Sequence, residues 1–251
     1  MHRRDFLKNA LLAAGVLSFP YLRAGVLAES GSVPADDKEP GSGDFRKSIM
    51  WGTVGMEGSV LDKCKAIKAA GYDGIEPNSH MDRDEVLAAM RETGLVASSV
   101  CNVHHWAKPL SHPDAAVRQE GIDAMIVAME DAKAYGTDAV LLVPGIVNEE
   151  VSYDDCWNRS TECIKELIPT AEKLGVKICI ENVWNNFLLS PVEACNYVDQ
   201  FESPYVKFYF DCGNILVYGW PEQWIDILDN RIGRIHIKEF SRKEADSKGR
   251  G

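Results

Sequence analysis

A chain of 251 residues that is 45% hydrophobic and 26% charged has the composition of one large folded domain. Its net charge of −11, which becomes −14 without the first 28 residues (four basic, one acidic), excludes general affinity for nucleic acid or anionic membrane surfaces. Seven scattered cysteines without a CxxC pair exclude a zinc ribbon and fit buried thiols better than a disulfide framework.

The chain opens Met1-His-Arg3-Arg4-Asp-Phe6-Leu7-Lys8, and a mostly apolar run from Ala10 to Leu22 follows. That run is too short for a comfortable membrane span. The segment resembles a twin-arginine export signal, with Val26-Leu27-Ala28 as a small-x-small cleavage site. The expectation is a signal peptide over 1–28 and a periplasmic or extracellular protein with no membrane attachment once it is removed. Residues 29–44 are a polar Gly/Pro/Ser stretch without periodicity and read as a flexible linker.

From residue 45 strand and helix signals alternate. Lys47 to Gly52 reads as a first strand, and Ser59 opens a helix with Leu61, Cys64 and Ile67 on one face, stopped by Gly71. Tyr72 to Glu76 is the second strand, and the helix from Asp84 to Arg91 is closed by Gly94. Val96 to Val103 is the third strand, leading into His104-His105-Trp106, and Ser111-His-Pro113-Asp begins a long helix that ends at Gly136. The fourth strand is Ala139 to Val143, and the next helix runs from Asp154 to Leu174, with Pro169 placed to kink it. The fifth strand, Val176 to Glu181, is followed by a capping box at Ser190-Pro191-Val-Glu193. The sixth ends at Asp211, a helix runs from Pro221 to Leu228, and the seventh strand ends at His236. Regular alternation with short loops predicts a parallel sheet, and the missing GxGxxG after the first strand favours a barrel over an open doubly wound sheet. The fold class expected for 45–251 is α/β, a (β/α)8 TIM barrel. Past Phe240 the sequence is polar with no strand signal, so this chain is expected to lack the eighth β/α unit.

In such a barrel the strand carboxyl ends form the functional mouth. Glu181, Asp211 and His236 stand at equivalent ends of consecutive strands. Each alone is commonly a cap, an ion-pair partner or a satisfied histidine. Together, hard oxygen ligands and one imidazole suit one divalent ion, Mn²⁺, Mg²⁺ or Co²⁺. Cys212 is expected to point away by strand alternation. Glu76, His105 and Trp106 sit at or just past other strand ends, where they could meet a bound small molecule, and Asn182 and Asn214 could orient ligands or bind hydroxyls.

The segments Ile-Glu181-Asn-Val-Trp-Asn, Tyr-Phe-Asp211-Cys-Gly-Asn214, Gly219-Trp-Pro-Glu-Gln-Trp224 and Arg234-Ile-His236-Ile-Lys-Glu-Phe-Ser-Arg242 resemble the sugar phosphate isomerase/epimerase family, whose barrel is xylose isomerase-like. The resemblance spans 47–243. It implies metal ligands Glu181, Asp211 and His236, with a fourth ligand, on an eighth strand, beyond residue 251. It also implies that Glu181 doubles as catalytic acid/base and that Arg242 contacts substrate oxygens. The implied chemistry is proton abstraction next to a carbonyl through a metal-stabilised enediolate, on a small-molecule sugar or sugar phosphate. The second acid/base is likewise absent, so residues 1–251 alone are expected to be inactive; a homo-oligomer is compatible with the sequence. Free-ketose 3-epimerases of the family carry a His where this chain has Asn214 and a Glu where it has Phe187. Alternative readings are a metal-dependent lyase or dehydratase on a keto-sugar or keto-glycoside, or a non-catalytic exported sugar-binding barrel. The related apurinic endonucleases need more His ligands and a basic DNA-facing surface, which the charge balance opposes.

Overall fold

The computed structural model describes residues 46–244, so the expected signal peptide and linker lie outside the described residues. The strands among these are β1 (Ser48–Met50), β2 (Gly74–Glu76), β3 (Val96–Ala97), β4 (Val100–Cys101), β5 (Ala139–Leu142), β6 (Lys177–Glu181), β7 (Val206–Asp211) and β8 (Ile232–His236). The helices are α1 (Val60–Ala69), α2 (Arg83–Thr93), α3 (Ala115–Tyr135), α4 (Tyr153–Leu174), α5 (Pro191–Asp199), the short α6 (Cys212–Ile215) and α7 (Pro221–Leu228). Every strand pair is parallel, in the orders β1-β2-β3 and β4-β5-β6-β7-β8. A parallel bridge between Asn78 and Cys101 joins the two sets. This is the wall of a parallel β/α barrel, as expected, with β1 and β8 as its edges among the described residues.

The near-continuous apolar strands divide into two cores. Val140, Leu142, Ile178, Ile180, Phe208 and Phe210 turn outward to the helices, while Leu141, Cys179 and Tyr209 turn inward with Cys101, Ala139, Val143 and Val183. Alternation along each strand therefore places the ligand candidates above an apolar floor. Residues 179 and 181 share the inner side of β6, as 209 and 211 share that of β7.

Several local expectations are corrected. The third strand is two short ones: its first half pairs with β2 and its second with β5. The changeover falls at Ser98-Ser99, where the Ser98 amide bonds back to Ile75 and Ser99 turns its hydroxyl inward to Glu76. Asn102 and Val103 lie beyond it. The first strand gives way at Trp51 to a 3-10 turn, Trp51–Thr53. The long third helix starts at Ala115, because Asp114 is its N-cap and accepts from Ala116 N at 2.8 Å; Pro113 therefore lies outside the helix. Cys212 does not continue the β7 alternation but opens α6, which Asp211 caps. Ser59 and Asp62 form the reciprocal capping box of α1, and the left-handed Gly136 (φ 76°) and Gly175 (φ 69°) end α3 and α4. All seven cysteines are free, six of them buried.

One irregularity decides what β8 shows the interior. Phe208 pairs with Ile232, but Tyr209 pairs with Arg234, so β8 carries an extra residue, Gly233, at a bulge. Beyond it Asp211 stands opposite His236, and His236 faces in while Ile235 is 57% exposed. A Cβ on Gly233 would lie 2.9 Å from Lys207 Cβ and 3.0 Å from Cys179 Sγ. Gly233→Ala is expected to cost about 1–3 kcal/mol through overpacking, measured as a lower denaturant midpoint.

Candidate metal centre

The carboxyl ends of β2, β6, β7 and β8 bring Glu76, Glu181, Asp211 and His236 into the mouth of the barrel. Three of these are carboxylates almost fully withdrawn from water: Glu76 is 2%, Glu181 7% and Asp211 3% exposed. His236 Nδ1 lies 2.7 Å from Glu181 Oε1, and its Nε2 lies 2.9 Å from Glu76 Oε2. Single ligand atoms of Glu181, Asp211 and His236 all fall within 4.8 Å of one another. Among the described residues no Lys or Arg pairs with any of these acids. Converging buried carboxylates cost several kcal/mol each unless positive charge offsets them, so this donor set fits a divalent cation.

Burial pushes the Glu181 carboxyl up, and the His236 hydrogen bond pulls it part of the way back. Burial also works against charge on His236, but its bonds to Glu181 and Glu76 outweigh that and raise the imidazole to about 10.

Asn182 and Asn214 serve the scaffold. Asn182 Nδ2 donates to Asp211 O at 2.9 Å and its Oδ1 accepts from Asp211 N at 2.9 Å, tying β6 to the end of β7. Asn214 N donates to Asp211 Oδ1 at 2.8 Å, which holds that carboxylate in place, and Asn214 Nδ2 donates to Asn182 O at 2.9 Å. His105 is buried, and burial lowers its imidazole to about 4, so it is neutral near pH 7. Its Nδ1 has no hydrogen-bond partner among the described residues. Trp106 is exposed, edge-on to His105 at 5.3 Å, and His104 packs instead against His80. Arg242 is not brought to the acids: its Nε and Nη2 donate to Leu216 O and Gly219 O, and it stacks on Trp220.

Sequence reasoning missed Ser99, Tyr209 and Lys238. Ser99 Oγ donates to Glu76 Oε1 at 2.6 Å, and Tyr209 OH donates to the same oxygen at 3.1 Å. Tyr209 was legible in principle, since it lies two residues before Asp211 and strand alternation puts both on one side. Lys238 donates to Asn214 Oδ1 at 2.7 Å and lies over the Trp184 ring. A cavity of about 530 Å³ lies at the other end of the strands, among Ser48, Val96, Asp138 and Arg234. It shares none of the converging acids, and Asp138 there is already paired with Lys177 and Arg234.

Known proteins point the same way. The chain is 24% identical over 193 residues to the L-ribulose-5-phosphate 3-epimerase of Salmonella paratyphi A, covering 71% of this chain and 68% of the relative. It is 27% identical over 195 residues to the enzyme of that name from Escherichia coli O1:K1, with the same coverage. Among solved structures, the apo form of the 3-keto-D-glucoside 4-epimerase of E. coli superposes with a TM-score of 0.71 at 17% identity, covering 78% of this chain and 80% of that one. A D-psicose 3-epimerase determined in the presence of D-fructose gives 0.67 at 18% identity, with coverage of 78% and 73%. The family model described as a xylose isomerase-like TIM barrel matches residues 64–251. With that match spanning the strands that carry Glu181, Asp211 and His236, the chain belongs to the xylose isomerase-like TIM barrel family.

Proposed function

We propose that this chain is a divalent-metal-dependent isomerase or epimerase of a sugar or sugar phosphate. The observation that carries the reading is the convergence of Glu181, Asp211 and His236, with ligand atoms within 4.8 Å, in the mouth of the barrel. Its similarity to L-ribulose-5-phosphate 3-epimerases supports a small keto-sugar as substrate. A divalent ion (Mn²⁺, Mg²⁺ or Co²⁺) held by these three side chains supplies Lewis-acid charge where an oxyanion develops. Glu181 performs the proton transfer in this reading, its buried carboxylate standing at the cation site with one oxygen held 2.7 Å from His236 Nδ1. Asp211 contributes a fixed negative charge, oriented by the Asn214 amide. His105 offers a neutral ring nitrogen to a hydroxyl, and Trp106 an apolar surface to the sugar skeleton. Residues 1–28 direct export by the twin-arginine route in this reading, and Arg3→Lys with Arg4→Lys is expected to leave the precursor inside the cell on fractionation.

The reading is tested by deuterium incorporation in D₂O with Mn²⁺ by the protein carrying the expected eighth β/α unit, using ketoses, ketose phosphates and 3-keto-glucosides. Exchange at the carbon next to the carbonyl without elimination is the expected result. Loss of water or an aglycone selects the lyase or dehydratase, which an export signal suits better than it suits an enzyme of sugar phosphates. Binding without exchange selects a sugar-binding barrel.

Proton competition gives a second test. Metal-free His236 is charged near pH 7, so an ion that takes its Nδ1 displaces a proton. Mn²⁺ affinity is expected to rise with pH towards about 10, with about one proton released per ion. Calorimetry in buffers of different protonation enthalpy counts that proton. The metal-free protein has the opposite dependence. The imidazole's folded value lies above its ordinary 6.5, so its contribution to stability is complete below about 6.5 and is lost as pH rises through about 10.

A further inference from the structure

We infer that Glu76 is a positioning residue for His236, fixing the ring so that Nδ1 faces the cation site, and that it is not a substrate contact; this rests on the metal reading above. An imidazole gives a metal one lone pair, and the hydrogen bond made by its other nitrogen selects which nitrogen that is. Nδ1 lies beside Glu181, a member of the three-residue ligand cluster. Nε2 lies beside Glu76, which is outside that cluster. With its proton on Nε2, His236 donates to Glu76 Oε2 and leaves Nδ1 free towards Glu181 and Asp211.

Glu76 is itself held from several sides. Its Oε1 accepts from Ser99 Oγ at 2.6 Å and from Tyr209 OH at 3.1 Å, and the two hydroxyls are 3.0 Å apart. Its Oε2 takes the imidazole at 2.9 Å. Both carboxylate oxygens are thus occupied, and at 2% exposure no face is left for a sugar hydroxyl. The Tyr209 ring, 4.3 Å from the His236 ring at 43°, also limits rotation of the imidazole. The chain Ser99–Tyr209–Glu76–His236 crosses the barrel interior from β2 to β8, linking strands that are far apart around the wall.

The test uses the full chain with Glu76→Ala, Glu76→Gln and Tyr209→Phe, each checked for wild-type circular dichroism, and Mn²⁺ and Co²⁺ as probes. Glu76→Ala is expected to weaken Mn²⁺ binding by about 10–100-fold, measured by electron paramagnetic resonance. Glu76→Gln keeps an acceptor for Nε2–H and is expected to recover most of that loss, while Tyr209→Phe gives a smaller loss than Glu76→Ala. The Co²⁺ absorption bands keep their positions in all three, because the ligand set does not change. Unchanged Mn²⁺ affinity in a folded Glu76→Ala overturns the inference. So do shifted Co²⁺ bands, which make Glu76 a ligand, and a raised KM for sugar at saturating metal in Glu76→Gln, which makes it a substrate contact. Failure of the wild-type chain to bind either ion overturns the metal reading instead. Should Glu76→Ala not fold, the comparison of Glu76→Gln with Tyr209→Phe decides: affinities equal to wild type in both overturn the inference.

Discussion

Glu181→Gln is expected to cut deuterium exchange into the sugar by about 10²–10⁴-fold, the range for losing a positioned general base, even when Mn²⁺ is saturating. The substitution keeps the size of the side chain and one carbonyl oxygen towards His236 Nδ1, which is 2.7 Å away in the native site. It removes the proton acceptor. The informative partner is Asp211→Asn, which also removes one charge from the cluster but leaves Glu181 in place. Asp211→Asn is expected to weaken the metal, with most of the exchange rate returning at high Mn²⁺. Glu181→Gln is expected to resist that rescue. Equal rescue of both variants would make Glu181 a ligand only, and the proton transfer would then belong to another group.

Phe187→Ala is expected to destabilise the protein by about 3–5 kcal/mol, the range for emptying a buried aromatic position. For a domain of this size that corresponds to a fall of about 6–20 °C in Tm. Phe187 is 1% exposed, in ring contact with Tyr153 at 5.1 Å, Tyr197 at 5.3 Å and Trp157 at 6.0 Å. Tyr197 continues the cluster to Phe201 at 5.5 Å. The residue that stands in the place of a free-ketose epimerase's Glu is therefore part of the packing between the β6 loop, α4 and α5. Phe187→Glu is expected to be worse than Phe187→Ala, because it adds an unpaired carboxylate to an apolar cluster. A small Tm change in either variant, by thermal melting, would show that the cluster is not what holds this loop.

The barrel and the convergence of Glu181, Asp211 and His236 were legible in the sequence because both follow from strand position. A strand that ends in Glu181, another in Asp211 and a third in His236 share one face once the strands are parallel neighbours. What could not be read is which partner satisfies each polar group. Glu76 was readable as a strand-end acid, but its bond to His236 spans 160 residues of sequence. Asn182 and Asn214 look like surface amides, yet they are buried clamps on the backbone around Asp211, since adjacent strand ends leave amide and carbonyl groups unpaired there. The start of α3 was misplaced by one turn because Ser111 and Asp114 both look like caps, and only the chain path selects Asp114.

The bulge at Gly233 gives this site an unusual dependence on counting. Were the bulge to close with Gly233 kept in the ladder, Ile235 would fall opposite Asp211 and His236 would turn to the outer side. Deleting Gly233 instead leaves Ile232, Arg234, Ile235 and His236 opposite residues 208–211 in unbroken alternation, so the imidazole keeps its place. Loss of that one codon is thus expected to spare the inner face of β8, whereas a slip of the strand by one residue would empty it of its histidine without any mutation.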